Sequence, residues 1–498
     1  MSRRVTPSPA TGGLSLVAAL AGCSLALDFD DECSVSGDCA AGKVCESKYC
    51  VPATEGGDAA VDAAADLPLV NDLCPQLVGA TEAEVRSGKA LLIGALTPRT
   101  GGLSATGRPV EQAIVLAVEE LNQIGGIDGR KLAVLACDDG TSGNDIAENA
   151  MAHLVEVGHV PAVVGPGSSS TLIEVFNTVA HDAKVVLISP SATSPAITNL
   201  ADDGLVWRTP PSDDLQGSAI VGYLKANSVT KIAVVHRRDA YGDAFRKVIQ
   251  DSFCAGGVCD EAHYLAASYD DATLGADQAR ALEDLAAFQP EVTVLIGFLE
   301  DGVEFLNLAA GEARLTSKRF ILTDGMKEPP LVSEVESRQI LAEMFGTAPA
   351  SPDNPNYSIF STSYRGRWGL APSIFNAQAY DATYLLALAI AGLGRDAVPT
   401  GPGIAAQLKR MARRDAEAVR VGTADFQAGV QALRVNAANG IDFEGASGPL
   451  DFNVNTGEAP ADIEGWRVDA ASQKIVSAGV IFTAAGVYQP PAPASGGQ

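Results

Sequence analysis

The sequence is poor in basic side chains and in histidine. Of 498 residues, 35 are Lys or Arg against 61 Asp or Glu, which gives a formal net charge of −26. Nucleic acids and anionic membrane surfaces are bound through clustered Lys and Arg, so this balance argues against both as partners. The five histidines show no metal-ligand spacing, and the Gly-x-Ser-x-Gly pattern of serine hydrolases is missing. We therefore expect a protein that is not an enzyme and uses neither metal nor cofactor.

Long apolar runs are also missing beyond the N-terminus. The longest candidate for a membrane span, 379–391, is interrupted by Asp381 and is better explained as a buried helix. Apolar residues make up 47% of the chain, as in globular proteins. At about 150 residues per domain, the length predicts two or three domains.

The N-terminus resembles a bacterial lipoprotein signal peptide. Two arginines precede the apolar run Leu14–Ala21, which is too short to span a bilayer and is followed by Gly22 and Cys23. In lipoproteins of this kind, the cysteine becomes the lipidated first residue of the mature chain. The resemblance predicts a lipid anchor on Cys23 and a place on the periplasmic side of the cell envelope. An ordinary secretory signal with an unrelated cysteine is the alternative.

Eight cysteines remain beside Cys23, an even number that is typical of disulfides in an oxidising compartment. Sequence order suggests the pairs Cys74–Cys137 and Cys254–Cys259. The other four lie in a short segment with too few apolar residues for a core, so we expect two disulfides there, in any of three connectivities. A zinc site is the alternative for these four residues, which are Cys33, Cys39, Cys45 and Cys50.

From about Lys89, short β runs alternate with amphipathic helices, which predicts an α/β fold. The strand Ala90–Leu96 leads to a helix whose first turn we expect to contain Pro109. The pattern starts again after the residues TPPSDDLQG and predicts a second α/β lobe. Near the end of the chain, strands are expected over Pro449–Asn453, Gly465–Val468 and Ile475–Phe482.

Two successive strands between residues 161 and 199 run directly into loops rich in small hydroxylated side chains. Ligands of parallel sheets bind beyond the carboxyl ends of the strands, where a helix N-terminus also offers unpaired N–H groups. This arrangement suits a small anion such as a carboxylate. Helix capping alone is the alternative role of these side chains, which are Ser168, Ser169, Ser170, Ser191 and Thr193.

From Lys89 to Gly486, the sequence resembles the type I periplasmic solute-binding proteins, the leucine/isoleucine/valine-binding family of ABC importers. The resemblance implies two Rossmann-like lobes joined by a three-strand hinge, which close on a small ligand. It is carried by segments in family order, among them VVGPGSSSTL, ISPSATSPAIT, WRTPPSDDLQG, IAVVHRRDAYGDAF, ILTDG, AQAYDATYLLALAI and FEGASGPLDFNVNTG.

The resemblance also divides the chain. We expect a signal peptide over 1–22, a lipidated Cys-rich module over 23–53, a linker over 54–88, a first lobe from 89–208 plus 347–440, a second lobe from 209–346 plus 441–488, and a flexible tail over 489–498.

By resemblance, the first lobe supplies the side chains that hold the ligand's carboxylate. Ser168 or Ser169 would bind the carboxylate. Which of the two matches the family's serine stays open, because the loop is one residue shorter than in branched-chain binders. Ser191 and Thr193 would bind the carboxylate and the ammonium group.

By resemblance, the second lobe supplies Tyr241, which would close over the ligand, and Asp324, which would pair with the ammonium group of an amino acid. Tyr241 as a core aromatic and Asp324 as a turn residue are the alternatives. The implied function is capture of an amino acid or related small carboxylate and its delivery to an ABC permease. A sensory protein that signals to a membrane partner is the competing interpretation.

Overall fold

The structure is a computed structural model, and its residues fall into two units, 1–66 and 67–498. In the first unit only a backbone hairpin is described, in which Cys45 lies opposite Cys50. The predicted signal peptide 1–22, the lipidation site Cys23 and the end of the tail lie outside the described residues, as does the rest of the Cys-rich module. The described residues are 43–46, 49–52 and 67–490, without 142–144, 255–256, 316–317, 436–439 and 470.

The strands follow each other along the chain as β1 (Lys43–Glu46), β2 (Tyr49–Pro52), β3 (Gln76–Val78), β4 (Ala90–Thr97), β5 (Lys131–Asp138), β6 (Ala162–Val164), β7 (Val186–Ser189), β8 (Val206–Arg208), β9 (Ile232–Arg237), β10 (Tyr264–Tyr269), β11 (Val292–Ile296), β12 (Arg319–Leu322), β13 (Phe345–Pro349), β14 (Glu417–Arg420), β15 (Ile441–Glu444), β16 (Ile463–Asp469) and β17 (Lys474–Phe482).

The α-helices are α1 (Glu82–Arg86), α2 (Ser104–Gln123), α3 (Ile146–Glu156), α4 (Ser169–Val175), α5 (Pro195–Thr198), α6 (Asp213–Ala226), α7 (Ala240–Phe253), α8 (Leu274–Phe288), α9 (Leu299–Gly311), α10 (Pro330–Glu334), α11 (Arg338–Ala342), α12 (Pro355–Trp368), α13 (Asn376–Gly392), α14 (Gly401–Leu408) and α15 (Phe426–Val435).

Each lobe is built on its own sheet. The first sheet has the order β3-β5-β4-β6-β7-β8 and is parallel except for β3. The second has the order β10-β9-β11-β12-β13-β16-β17, in which β16 and β17 are antiparallel to their neighbours. Strands such as β4, with all residues buried, are continuous apolar runs because helices cover both faces of a parallel sheet. The sequence prediction of two α/β lobes is confirmed.

The chain crosses between the lobes three times. It passes from β8 to α6, from β13 to α12, and from β15 to β16. The crossings are joined by backbone hydrogen bonds: Arg208 N donates to Gly457 O over 2.9 Å, and Ala350 N donates to Asp462 O over 2.8 Å. Three neighbouring connections of this kind form the three-strand hinge that the resemblance implied.

Residues 67–88 are folded, so the predicted linker over 54–88 was wrong for this part. β3 pairs with β5 at the edge of the first sheet, and a disulfide joins Cys74 to Cys137. Edge pairing of a strand of three residues produces no hydrophobic period, which is why the sequence pattern missed this strand. The other predicted pair, Cys254–Cys259, is bonded as well, so both pairings are confirmed.

Two of the predicted lobe boundaries also differ from those in the structure. β13 belongs wholly to the second sheet, although the predicted boundary between 346 and 347 divided it. β15 pairs with β14, and Asp381 of α13 accepts hydrogen bonds from the backbone of Ala446 and Ser447. Because α13 packs on α2 of the first lobe, residues 441–447 belong there, and the second lobe resumes at β16.

The predicted strand Pro449–Asn453 makes only single bridges to Glu444 and Glu458. Pro449 has no N–H with which to extend a ladder. The predicted strands around 465–468 and 475–482 lie within β16 and β17 and are confirmed. Among the described helices, none is both long and apolar enough to cross a membrane.

Candidate functional site

The first-lobe wall of the site begins where β6 ends. Gly167, in the loop that follows, donates its N–H to the Asp139 carboxylate over 2.8 Å, and burial raises the pKa of that carboxyl to about 7. Ser168 then caps the N-terminus of α4, with its Oγ accepting from Thr171 N at 3.1 Å. Ser168 therefore has the capping role considered from the sequence, and it also faces the cleft described below.

The next loop, after β7, is tied to the first by hydroxyl groups. Ser189 donates to Pro166 O over 2.6 Å, and Ser191 donates to Gly167 O over 2.7 Å. Ser169 Oγ accepts from Ser194 N at 3.2 Å. These bonds fix two successive strand ends against each other, as the sequence predicted for a parallel sheet.

The second-lobe wall is formed by Tyr241 on α7 and Asp324, which begins a short 3₁₀ turn after β12. The Tyr241 hydroxyl donates to Asp324 Oδ1 over 2.8 Å, and Gln216 Nε2 donates to the same oxygen over 3.1 Å. Burial raises the pKa of the Asp324 carboxyl above its usual value. The Tyr241 ring stacks on Phe298 at 5.7 Å between centroids, and Arg237 lies on Phe298 at 4.1 Å.

One narrow cavity between the lobes is lined by five of the predicted residues: Ser168, Ser169, Ser191, Tyr241 and Asp324. The space open to the centre of a water molecule is about 20 Å³, which is room for about one water. The sixth predicted residue, Thr193, is not part of this lining, and its hydroxyl donates to Asp213 Oδ2 over 3.0 Å. A larger depression of about 580 Å³ between β14 and α15 includes none of the predicted residues.

The cavity is narrow because the lobes touch across it. Thr106 on α2 donates to Glu328 Oε1 over 3.0 Å, and Ser170 Oγ accepts from Ala240 N at 3.0 Å. The structure is thus a closed arrangement of two lobes.

Glu328→Gln is expected to make thermal stability less dependent on pH. Burial raises the pKa of the Glu328 carboxyl from 4.5 to about 8, although Lys327 nearby lowers it. The folded protein therefore holds a proton that the unfolded chain releases, and wild-type stability falls as the pH rises through this window. Gln keeps an acceptor oxygen for Thr106 without a charge. Thermal unfolding at several pH values should show the melting temperature of the variant rising relative to that of wild type from about pH 5 to about pH 8.

Glu336→Gln is the control for this prediction, because Glu336 is exposed. It should follow the wild-type pH profile. If Glu328→Gln followed that profile too, the buried Glu328 carboxyl would not be the source of the pH dependence.

The sequence prediction missed polar residues that support the site. Asp213 and Gln216 lie in the segment WRTPPSDDLQG, which was used to recognise the family resemblance and the start of the second lobe but not to assign site residues. Thr106 and Glu328 meet only because two lobes close, over 222 positions of sequence separation. No local pattern indicates a contact of that kind.

A family model described as periplasmic binding protein matches residues 91–469 of the chain. The Leu/Ile/Val-binding protein BraC3 of Rhizobium johnstonii is 31% identical over 171 residues, or 34% of this chain and 46% of that protein. The chain thus spans about half the length of this curated relative.

Two solved structures share the fold. One is the branched-chain amino acid transporter substrate binding protein LivJ of Streptococcus pneumoniae in complex with isoleucine, with a TM-score of 0.62, 22% identity, and coverage of 78% of this chain and 99% of that chain. The other is an ABC transporter solute binding protein of R. palustris in complex with benzoate, with a TM-score of 0.60, 17% identity, and coverage of 81% and 98%. At these identities the likeness establishes the fold of the two lobes.

Proposed function

Because this chain belongs to the periplasmic binding protein family, we propose that it captures an amino acid or related small carboxylate between its lobes and delivers it to an ABC importer. The family consists of extracytoplasmic solute-binding proteins and not of enzymes. The names of similar proteins support an amino acid ligand, since BraC3 is named for leucine, isoleucine and valine and LivJ holds isoleucine. LivJ is named as part of a transporter, which favours delivery over the sensory role.

The observation that carries this proposal is the opposite polarity of the two walls. The first lobe presents the hydroxylated side chains of Ser168 and Ser169 at the start of a helix, and these suit a carboxylate. The second lobe presents the buried carboxylate of Asp324, which suits an ammonium group. An α-amino acid carries both groups on one carbon, so a single small ligand can satisfy both walls.

Ligand entry requires the lobes to separate, because the closed cavity has room for about one water. The three crossings supply the hinge. Bonds such as Thr106–Glu328 and Ser170–Ala240 then break and form again as the cleft opens and closes. The same proposal places the protein at the cell envelope, held by a lipid on Cys23, on the strength of the N-terminal sequence.

A thermal-shift screen of the full chain against the protein amino acids, small amides and small carboxylates tests the function. A ligand at about 100 times its dissociation constant should add about 2.7 kcal/mol to the free energy of unfolding. We expect a shift with a small group of related amino acids, confirmed by calorimetry. A shift with carboxylates alone would keep solute binding and reject the amino acid, and no shift with any compound would reject the proposed ligand class.

A further inference from the structure

One buried carboxyl group of the closed structure lies at the contact between the two lobes. Glu328 belongs to the second lobe, between the 3₁₀ turn after β12 and α10, and it is 2% exposed. Its Oε1 accepts the Thr106 hydroxyl of α2 over 3.0 Å, and Ser373, before α13, is a second polar neighbour. Both neighbours belong to the first lobe. Separation of the lobes therefore takes these partners away and opens the carboxyl to water.

In the second lobe, the charged groups near Glu328 do not neutralise it. Lys327 is its neighbour in the chain, but the Lys327 ammonium group forms an ion pair with Glu464 of β16. Glu334, at the end of α10, is exposed, and Asp324 carries a carboxyl group as well. The cation beside Glu328 is thus already paired with another carboxylate.

The first lobe supplies neutral partners to the same carboxyl. Thr106 contributes a hydroxyl group, and burial raises the pKa of the nearby Tyr364 hydroxyl on α12 to about 12, so that group is neutral too. Arg108, two residues after Thr106 on α2, is exposed. Burial among neutral groups disfavours a carboxylate. It raises the pKa of the Glu328 carboxyl to about 8, although the hydrogen bonds around it and Lys327 lower that pKa.

We propose that Glu328 couples closure of the lobes to the uptake of one proton, so that the protein holds its ligand more tightly in acidic than in basic surroundings. The inference rests on the proposed function and adds a regulation to it. In the open form, the carboxyl meets water and its pKa returns toward the usual value of 4.5. Between about pH 5 and about pH 8, closing must therefore take up a proton or bury a charge. The closed form is fully favoured below this window and loses that advantage as the pH rises through it.

The coupling acts through closure and not through contact with the ligand. Thr106 lines the cavity, whereas Glu328 is not among the lining residues. The pH dependence should therefore be the same for every compound on which the lobes close. A carboxyl that touched the ligand would instead give each compound its own pH dependence.

The test measures how affinity depends on pH, using the full chain and titration calorimetry. The probes are glycine, L-alanine, L-leucine, L-isoleucine and L-glutamine, since none has a side chain that titrates between about pH 5.5 and about pH 7.5. Wild type is compared with Glu328→Gln, in which Gln keeps an acceptor oxygen for Thr106 and has no proton to exchange. Glu336→Gln is the matched control, because it makes the same replacement at an exposed position of the same lobe.

We expect the wild-type affinity for each probe that binds to fall by about fivefold to tenfold for each pH unit from about pH 5.5 to about pH 7.5, because one linked proton changes an affinity by at most about tenfold per pH unit. Glu336→Gln should show the same slope. Glu328→Gln should bind the same probes with most of this slope lost. Calorimetry in buffers of different ionisation enthalpy should show about one proton taken up per bound probe near pH 6.5 in wild type and about none in Glu328→Gln.

Each contrary result overturns a different statement. Binding to wild type without proton uptake, or with an affinity that does not change with pH, would reject proton-linked closure and leave the proposed function intact. An equal slope in wild type and Glu328→Gln would assign the linked proton to another group. If no probe binds wild type at any of these pH values, the proposed function and this inference both fail. Proton uptake by wild type requires no variant, so it tests the inference even if Glu328→Gln does not fold.

Discussion

Replacing Asp324 by Asn should abolish measurable amino acid binding, with a loss of affinity of about 100-fold or more. Asp324 is the cavity-lining carboxylate of the second lobe and is buried. Truncating one partner of a buried charged hydrogen bond costs about 2–5 kcal/mol, and each 1.4 kcal/mol is about tenfold in affinity. Asn keeps an oxygen that can accept from Tyr241 and Gln216, so the loss should come from the charge. Titration calorimetry with the amino acid selected by the screen gives the comparison.

Asp396→Asn is the control, since Asp396 is exposed on the first lobe and its replacement changes the net charge equally. It should bind as wild type does. Unchanged affinity in Asp324→Asn would remove Asp324 from the ligand site and leave it as the turn residue considered from the sequence.

Loss of the Cys74–Cys137 disulfide should have the largest effect on stability. The bond closes a loop with a sequence separation of 63, for which the chain-entropy relation gives about 4 kcal/mol. It also attaches the segment around β3 to the first sheet. The double variant Cys74→Ala with Cys137→Ala should therefore unfold at a clearly lower urea concentration than wild type, with the free energy of unfolding measured from equilibrium denaturation.

The second disulfide provides an internal comparison. Cys254–Cys259 has a sequence separation of 5, and the same relation gives about 2 kcal/mol for it. Its double alanine variant should lose about half as much stability. Equal losses for the two pairs would show that loop length does not set the effect here, and that packing around each bond decides it.

The sequence allowed the two-sheet architecture to be predicted because its signals are local. Runs such as Ala90–Leu96 and Val292–Ile296 are short, apolar and separated by amphipathic segments, and each became a strand. The start of α2 was predicted wrongly at Pro109, since the helix begins at Ser104. The first turn of α2 contacts the other lobe through Thr106. A polar contact of that kind does not change the helical spacing of apolar residues from which the helix was predicted.

The part of the candidate site that lies directly after the ends of strands could be predicted from the sequence. Ser168, Ser169 and Ser191 come together because their strands are parallel neighbours in the first sheet. Thr193 was expected to line the cleft, but its hydroxyl points to Asp213, which only the crossing between the lobes brings near. Asp324 could be placed by its motif, while its burial beside a second carboxylate depends on how the lobes pack.

The strand order of the two sheets also determines the order in which the two lobes can fold. The first sheet can be complete once residue 208 has left the ribosome, because its strands are consecutive from β3 to β8. The second sheet must wait for β16 and β17, which end at Phe482, and the first lobe must wait for α13 to cover α2. The first lobe is therefore complete in sequence at residue 447, before β16 and β17 of the second lobe have been made, and such late, long-range closure of the second sheet slows folding. In the nascent chain, the first lobe is therefore expected to close before the second sheet has gained its last two strands.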